Sequence, residues 1–231
     1  AFDAAMTQKP QVLGMLEAVL RDQQGSVYVV RHSMPVAWPT THIFIWGAYG
    51  PQGKTHLLKL LNESTDDTTL TSVMTLLTRQ QELAALERIR TLAREAAPAV
   101  RARALMSLGT FGHPQDFDVL ATAMKSDDPK IAWAAAYGFY EYEDLRAVPL
   151  LAACLNGSDD ALAREAISCL AYLAAPEGMQ AVIDCAKTAT SEERRNECAK
   201  LMQYLKLTEE KFAVMSAEEK NKLTPVSYTH L

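Results

Sequence analysis

Glycine and proline are scarce in this chain, ten of each in 231 residues, which excludes a collagen-like or proline-rich protein. Long apolar runs are missing too. No stretch approaches the roughly 18–20 apolar residues that a helix needs to cross a bilayer, so no membrane span is expected. Neither sign of charge dominates: 23 Lys and Arg stand against 28 Asp and Glu, a net charge of −5. Mild acidity disfavours a dedicated nucleic-acid binder, whose affinity rests on neutralising phosphates. Aromatic residues make up only 7% of the chain, but apolar residues reach 48% and charged residues 22%. Those proportions belong to a soluble globular protein of one or two domains with a real core, and they argue against whole-chain disorder.

Chemistry-bearing residues are also sparse. The four cysteines, Cys154, Cys169, Cys185 and Cys198, are spaced 15, 16 and 13 apart, which fits neither a zinc knuckle nor a dense disulfide framework. Each lies among Ala and Leu at helical spacing, where a free thiol packs as a small hydrophobe. That usage suits a reducing compartment, and a cytoplasmic location is expected. The five histidines, His32, His42, His56, His113 and His230, include no i, i+4 pair, so no metal site is expected. No catalytic residue and no cofactor are expected either. The first residue is Ala1, and no basic segment leads into an apolar one, so the expectation is a removed leader or a fragment.

What the chain has is a repeat. Residues 98–128, 129–160 and 161 to about 193 align, with core positions Val100, Ile131 and Leu162, then Ala104, Ala135 and Ala166, then Leu108, Phe139 and Leu170, each set stepping by 31. Inside each unit apolar residues follow one face of a helix, and a second helical pattern follows a Gly- or Pro-containing break. In that second helix Val119, Leu120 and Met124 correspond to Leu150, Leu151 and Leu155. The acidic pairs Asp127-Asp128 and Asp159-Asp160 precede the next first helix, where carboxylates cap free N–H groups. A single helical pair cannot bury its apolar face alone, so neighbours must stack into an all-α solenoid. The aromatic-rich helix holding Trp133, Tyr137, Phe139, Tyr140 and Tyr142 reads as apolar on most faces and is expected inside the stack.

The phrase A-V-R-A-R-A-L-M-S-L-G at 99–109, the run A-V-P-L-L at 147–151 and the step of about 30 residues resemble the HEAT-like repeat family, in particular its short-repeat branch found in phycobilin lyases and many bacterial proteins. The resemblance covers residues 98–206 and implies an α-solenoid. It implies little about activity, because the family includes scaffolds, lyases and hydroxylases. The di-iron hydroxylases among them carry repeated His-Glu dipeptides, and here the histidines are followed by Ser, Ile, Leu, Pro and Leu. Hydroxylation of that kind is therefore not expected.

Around this array, residues 1–68 are expected to hold a helix over 10–22 and two short strands, Ser26–Arg31 and His42–Trp46, separated by Pro35 and Pro39. Residues 69–97 read as an irregular leading repeat. A degenerate unit begins near Glu193, with Cys198, Met202 and Leu205 on its apolar face and Arg194 and Arg195 on polar ones. Residues 207–231 are expected to add short cap helices and a tail. One phrase suggests nucleotide chemistry: Ala48 to Thr55 satisfies a relaxed phosphate-loop pattern, with Gly50, Gly53, Lys54 and Thr55 as its candidate residues. No later strand completes a nucleotide-hydrolysing sheet, and Pro51 removes one amide donor, so the alternative is a turn capped by Thr55. The arginines Arg88, Arg90, Arg94, Arg101 and Arg103 form a basic run that reads as a solvated helix surface paired with Glu87 and Glu95.

The expected function is that of a non-enzymatic scaffold whose second helices line a concave groove for a protein partner, with Asp116, Lys125, Tyr140, Glu143 and Arg146 as groove residues. A nucleotide-binding or chromophore-lyase-like protein is the alternative. Membrane and nucleic-acid partners are not expected.

Overall fold

A computed structural model describes residues 29–31, 34–36 and 50–220. Its helices follow the repeat. First helices open at Asp67, Pro98, Pro129 and Asp160, each 31 residues after the last: α2 is Asp67–Arg79, α4 Pro98–Phe111, α6 Pro129–Tyr142 and α8 Asp160–Leu173. Short 3-10 turns open at Leu83, Pro114 and Leu145 and lead into α3 (Leu86–Glu95), α5 (Phe117–Ala123) and α7 (Val148–Cys154). At the same step Pro176 opens α9 (Pro176–Thr188) directly. Before the array lies α1 (Gly50–Glu63), and after it come α10 (Glu192–Tyr204), α11 (Glu209–Val214) and α12 (Ala217–Lys220).

Capping explains why first helices start where they do. The side chains of Asp66, Asp128 and Asp159 accept hydrogen bonds from backbone N–H groups of the first turns of α2, α6 and α8, and Ser191 does the same for α10. Each satisfies donors that a helix start leaves open. Asp160 is not a cap; it serves Arg194, described below. Residues 67–97 keep the same layout as the later repeats. Val73, Ala104, Ala135 and Ala166 are fully buried, as are Leu77, Leu108, Phe139 and Leu170 in first helices and Ile89, Leu120 and Leu151 in second helices.

The chain divides into two compact units at Phe111/Gly112. In the first unit α1 packs on α2, and α4 packs on both α2 and α3. The same unit holds a two-stranded antiparallel pair, β1 (Val29–Arg31) and β2 (Met34–Val36), in which Val30 faces Pro35. β1 falls inside the expected first strand. β2 corrects the expectation, because the Pro35 stretch read as a separator is itself the paired strand. The expected helix at 10–22, the run His42–Trp46 and the tail at 225–231 lie outside the described residues. In the second unit α5 packs on α6, first helix α6 on first helix α8 and α8 on α10, while second helix α7 packs on α9. Like helices stacking on like helices is solenoid packing.

One buried cation ties the end of the array together. Arg194 of α10 is 3% exposed. Its guanidinium donates to Asp160 Oδ1 at 3.0 and 2.7 Å and to the carbonyls of Leu155 at 2.8 Å and Gly157 at 2.6 Å. Asp160 also accepts from the Ser191 hydroxyl at 2.9 Å. The sequence placed Arg194 on a polar face and Met202 with Leu205 on the apolar one. Instead Arg194, Cys198 and Leu201 are the buried residues of α10, because two loop carbonyls and a carboxylate wait behind the helix for a cation.

Arg194→Ala would leave those carbonyls without donors and is expected to lower stability by about 3 kcal/mol in urea denaturation, while the surface change Lys200→Ala should be nearly silent. Hydrogen bonds from Ser191 and then Arg194 hold the Asp160 carboxyl below the usual carboxylate range. A depressed folded pKa stabilises above the unfolded pKa and loses that contribution as pH falls through the folded one. Stability of the wild type should therefore drop below about pH 4, and the Asp160→Asn variant should show a shallower acid limb.

Candidate partner-binding surface

The side chains of α6 divide sharply between inside and outside. Ile131, Ala135 and Phe139 are buried. On another face stand Trp133, Tyr137 and Tyr140, and Trp133 is 36% exposed. The helix was expected to be interior, and Ile131, Ala132, Ala134, Ala135, Ala136, Gly138 and Phe139 are buried; the side carrying Trp133 is the one that is not. Equivalent outward positions in the other first helices carry Thr71 and Thr75, Ala102 and Met106, Arg164 and Ser168. Folding does not call for aromatics there, since the solenoid packs in the other repeats without them.

These rings form a ladder. Trp133 stacks on Tyr137 with centroids 5.6 Å apart, Tyr137 lies 6.0 Å from Tyr140, and Tyr140 lies 4.6 Å from Tyr172 of the adjacent α8. Tyr172 is 40% exposed. Each end of the ladder meets a carboxylate. The Tyr137 hydroxyl donates to Glu141 Oε1 at 3.3 Å, the Tyr172 hydroxyl donates to Glu143, and Glu165 neighbours Trp133. These contacts show in the proton affinities. Hydrogen bonding to Glu143 pushes the Tyr172 phenol up to about 12, while burial is the main cause of the upward shift at Tyr137, with Glu141 second. Burial likewise raises the Glu165 carboxyl, with the neighbouring Trp133 opposing the shift. Among the described residues no Lys or Arg is ion-paired with Glu141, Glu143 or Glu165.

Of the five residues expected to line a groove, two fall on this ladder. Tyr140 is its third ring, and Glu143 is its carboxylate next to Tyr172, held in a left-handed turn at φ 56° that closes α6. Neither belongs to a second helix. Arg146 lies just beyond, its guanidinium 4.3 Å over the Phe117 ring and bonded to Asp144 at 2.6–3.1 Å. That pairing holds the Asp144 carboxyl low. Lys125 is exposed after α5, apart from the ladder. Asp116 is 1% exposed and has no surface to offer. It occupies the position of Ala85, Ala147 and Gly178 in the other repeats, the buried foot of the second helix. Trp133, Tyr137, Glu141, Glu165 and Tyr172 were not among the expected site residues. Their signal was the break in repeat identity at outward positions.

The phosphate-loop candidates sit elsewhere. Gly50, Gly53, Lys54 and Thr55 all lie in the first turns of α1, so Thr55 is within the helix and not its cap. The Lys54 ammonium is 2.6 Å from Glu82, and that hydrogen bond is the main cause lowering the Glu82 carboxyl. Among the described residues no group of three or more His, Cys, Asp or Glu is placed to hold a metal ion. Nor is any described helix long and apolar enough to cross a membrane.

The basic run is also accounted for locally. Arg90 is buried and pairs with Glu87, Arg88 donates to the Leu61 carbonyl at 3.4 Å, and Arg101 donates to the Ala93 carbonyl at 3.1 Å. Three of its arginines therefore reach into the first unit instead of lying solvated on a helix face.

Comparison with known proteins agrees with this architecture. Residues 55–139 match the family of HEAT repeats. Among solved structures, an engineered protein determined as a structural-genomics target is 16% identical, with a TM-score of 0.50 over 87% of this chain and 94% of that one. Human deoxyhypusine hydroxylase in complex with glycerol aligns at 13% identity over 87% of this chain and 97% of that one, with a TM-score of 0.37, too low to bear on fold or chemistry. No curated protein matches.

An ammonium held by Glu82 is poorly placed to serve a phosphate. Titration with fluorescent ATP or GTP is expected to give no saturable signal that Lys54→Ala abolishes; such a signal would restore the nucleotide reading. The same substitution should shift stability by less than about 1 kcal/mol, as is usual for a half-exposed ion pair.

Proposed function

This chain is a HEAT-like repeat protein, and we propose that it acts as a non-enzymatic scaffold that holds a protein partner on the outward face of α6 and α8. The observation that carries the reading is the row of four rings, Trp133, Tyr137, Tyr140 and Tyr172, at positions where no other first helix has an aromatic residue. Aromatic side chains supply large, rigid contact area at small entropic cost and dominate the energetics of protein interfaces. The Tyr137 and Tyr172 hydroxyls are already bonded to Glu141 and Glu143, which fixes those rings before a partner arrives.

The second helices are the weaker choice. Of the residues expected to line them, Asp116 is buried and Arg146 is engaged by Asp144 and Phe117. A cytoplasmic location suits the free cysteines, Cys154, Cys169, Cys185 and Cys198, and forms part of the same proposal.

Co-purification from cells expressing the tagged chain should recover a partner that the paired change Trp133→Ala and Tyr172→Ala removes, with helical circular dichroism unchanged. The paired change Lys125→Ala and Arg146→Ala should leave it bound. If the second pair removes the partner and the first does not, the second helices are the binding face.

A further inference from the structure

The ladder is both aromatic and acidic, and this combination specifies more than a generic interface. Stacked rings alone would accept a nucleobase, a sugar or an apolar side chain. Glu141, Glu143 and Glu165 change that choice. They border the rings, and no Lys or Arg among the described residues is ion-paired with them. Arg164, the α8 counterpart of Trp133, is paired with Glu193, so a phosphate backbone would meet three carboxylates with no free cation to offset them among those residues, and nucleic acid is repelled where its bases would stack.

A cation is attracted twice, by carboxylates and by ring faces. The pairs Tyr137–Tyr140 and Tyr140–Tyr172 are tilted by 35° and 42°, and the rings at the two ends of the row, Trp133 and Tyr172, are exposed. The chain itself carries the arrangement in occupied form nearby. Arg146 lies 4.3 Å over Phe117 while its guanidinium donates to Asp144. Ring, guanidinium and carboxylate pack there as a unit, and at the ladder two of the three components are present.

Resting on the partner reading above, we propose that the ladder receives arginine side chains of an extended polypeptide segment, each guanidinium lying on a ring and donating to Glu141, Glu143 or Glu165. Arginine suits the site better than lysine because its planar fork stacks on rings and donates to carboxylates at the same time. Extension suits it because alternate side chains of a strand recur about every 6.6 Å, close to the 5.6 and 6.0 Å ring steps along α6.

The test uses the full chain and a fluorescein-labelled nonapeptide alternating arginine with glycine, followed by anisotropy at low salt. Saturable binding is expected, weakened at least tenfold by Glu141→Gln with Glu143→Gln, and by Trp133→Ala with Tyr137→Ala. Replacing each arginine with citrulline, which keeps the shape and removes the charge, should abolish it. Equal binding of the citrulline peptide, or unchanged affinity in the glutamine variant, whose substitutions keep the native fold by circular dichroism, would overturn the proposal. A labelled oligonucleotide that outcompetes the peptide would also overturn it. If the ladder variants lose their co-purified partner while no arginine peptide binds, the partner reading stands and this inference fails.

Discussion

The rest of the structure depends on a stripe of apolar side chains that returns every 31 residues and has nowhere to hide within one helical pair. The second helices α5 and α7 are seven residues each, too short to persist alone in water. Their burial comes from neighbours: Leu120 and Leu151 are fully covered because first and second helices stack in layers. The stacking distance in turn limits what fits at the foot of each second helix. Gly178 shows the limit, since a Cβ there would lie 2.8 Å from Leu170 Cδ2. Ala85 and Ala147 are the corresponding small residues of other repeats. The buried carboxylate of Asp116 at that same foot is the exception within the array.

With the inward positions constrained, the outward ones are free to differ between repeats, and there the sequence departs from its own pattern. A row of one indole and three phenols, exposed at Trp133 and Tyr172 and half-buried between them, is costly unless its polar atoms are served. Two of the served atoms are visible: the Tyr137 hydroxyl on Glu141 and the Tyr172 hydroxyl on Glu143. The glutamates hold the rings without hiding them. Burial first and Glu141 second raise the Tyr137 phenol, and the Glu143 hydrogen bond raises that of Tyr172, so both hydroxyls remain neutral donors.

The inward half of the fold was legible because hydrophobic period reports burial directly. Val100, Ile131, Ala104, Ala135, Leu108 and Phe139 follow the 31-residue step, and all are buried. Residues 67–97 were harder to recognise as a repeat because α2 carries Thr68, Thr69, Thr71, Thr75 and Thr78. Those threonines blur the apolar stripe, although Thr69 and Thr78 are buried like their apolar counterparts. The candidate surface was less legible for the opposite reason. Aromatic residues in an apolar helix read as core, and only packing separates Phe139, which points inward, from Trp133, which points out. Tyr140 and Glu143 were named as site residues but on the assumption of a second-helix groove. Tyr172 was missed because its ladder neighbour, Tyr140, is 32 residues away in sequence, and that adjacency exists only once α6 and α8 pack side by side.

Charge placement follows from the same layering. Each helix end leaves carbonyls without partners, and layered helices bury some of them. Arginine from a following helix reaches back to supply donors: Arg88 to Leu61, Arg101 to Ala93, Arg194 to Leu155 and Gly157. Cations near helix C-termini are favoured by the macrodipole as well. In sequence, arginines used this way look like a basic patch. In the fold their guanidinium groups bond to backbone oxygens inside each unit, where they neutralise no phosphate. The chain thus has 23 basic residues, yet among the described residues none is ion-paired with Glu141, Glu143 or Glu165 at the rings of α6 and α8, and Arg164 on α8 is paired with Glu193. The internal need for arginine at carbonyls helps leave that outer face acidic, and the acidity of a face with exposed rings is what distinguishes it from the rest of the array.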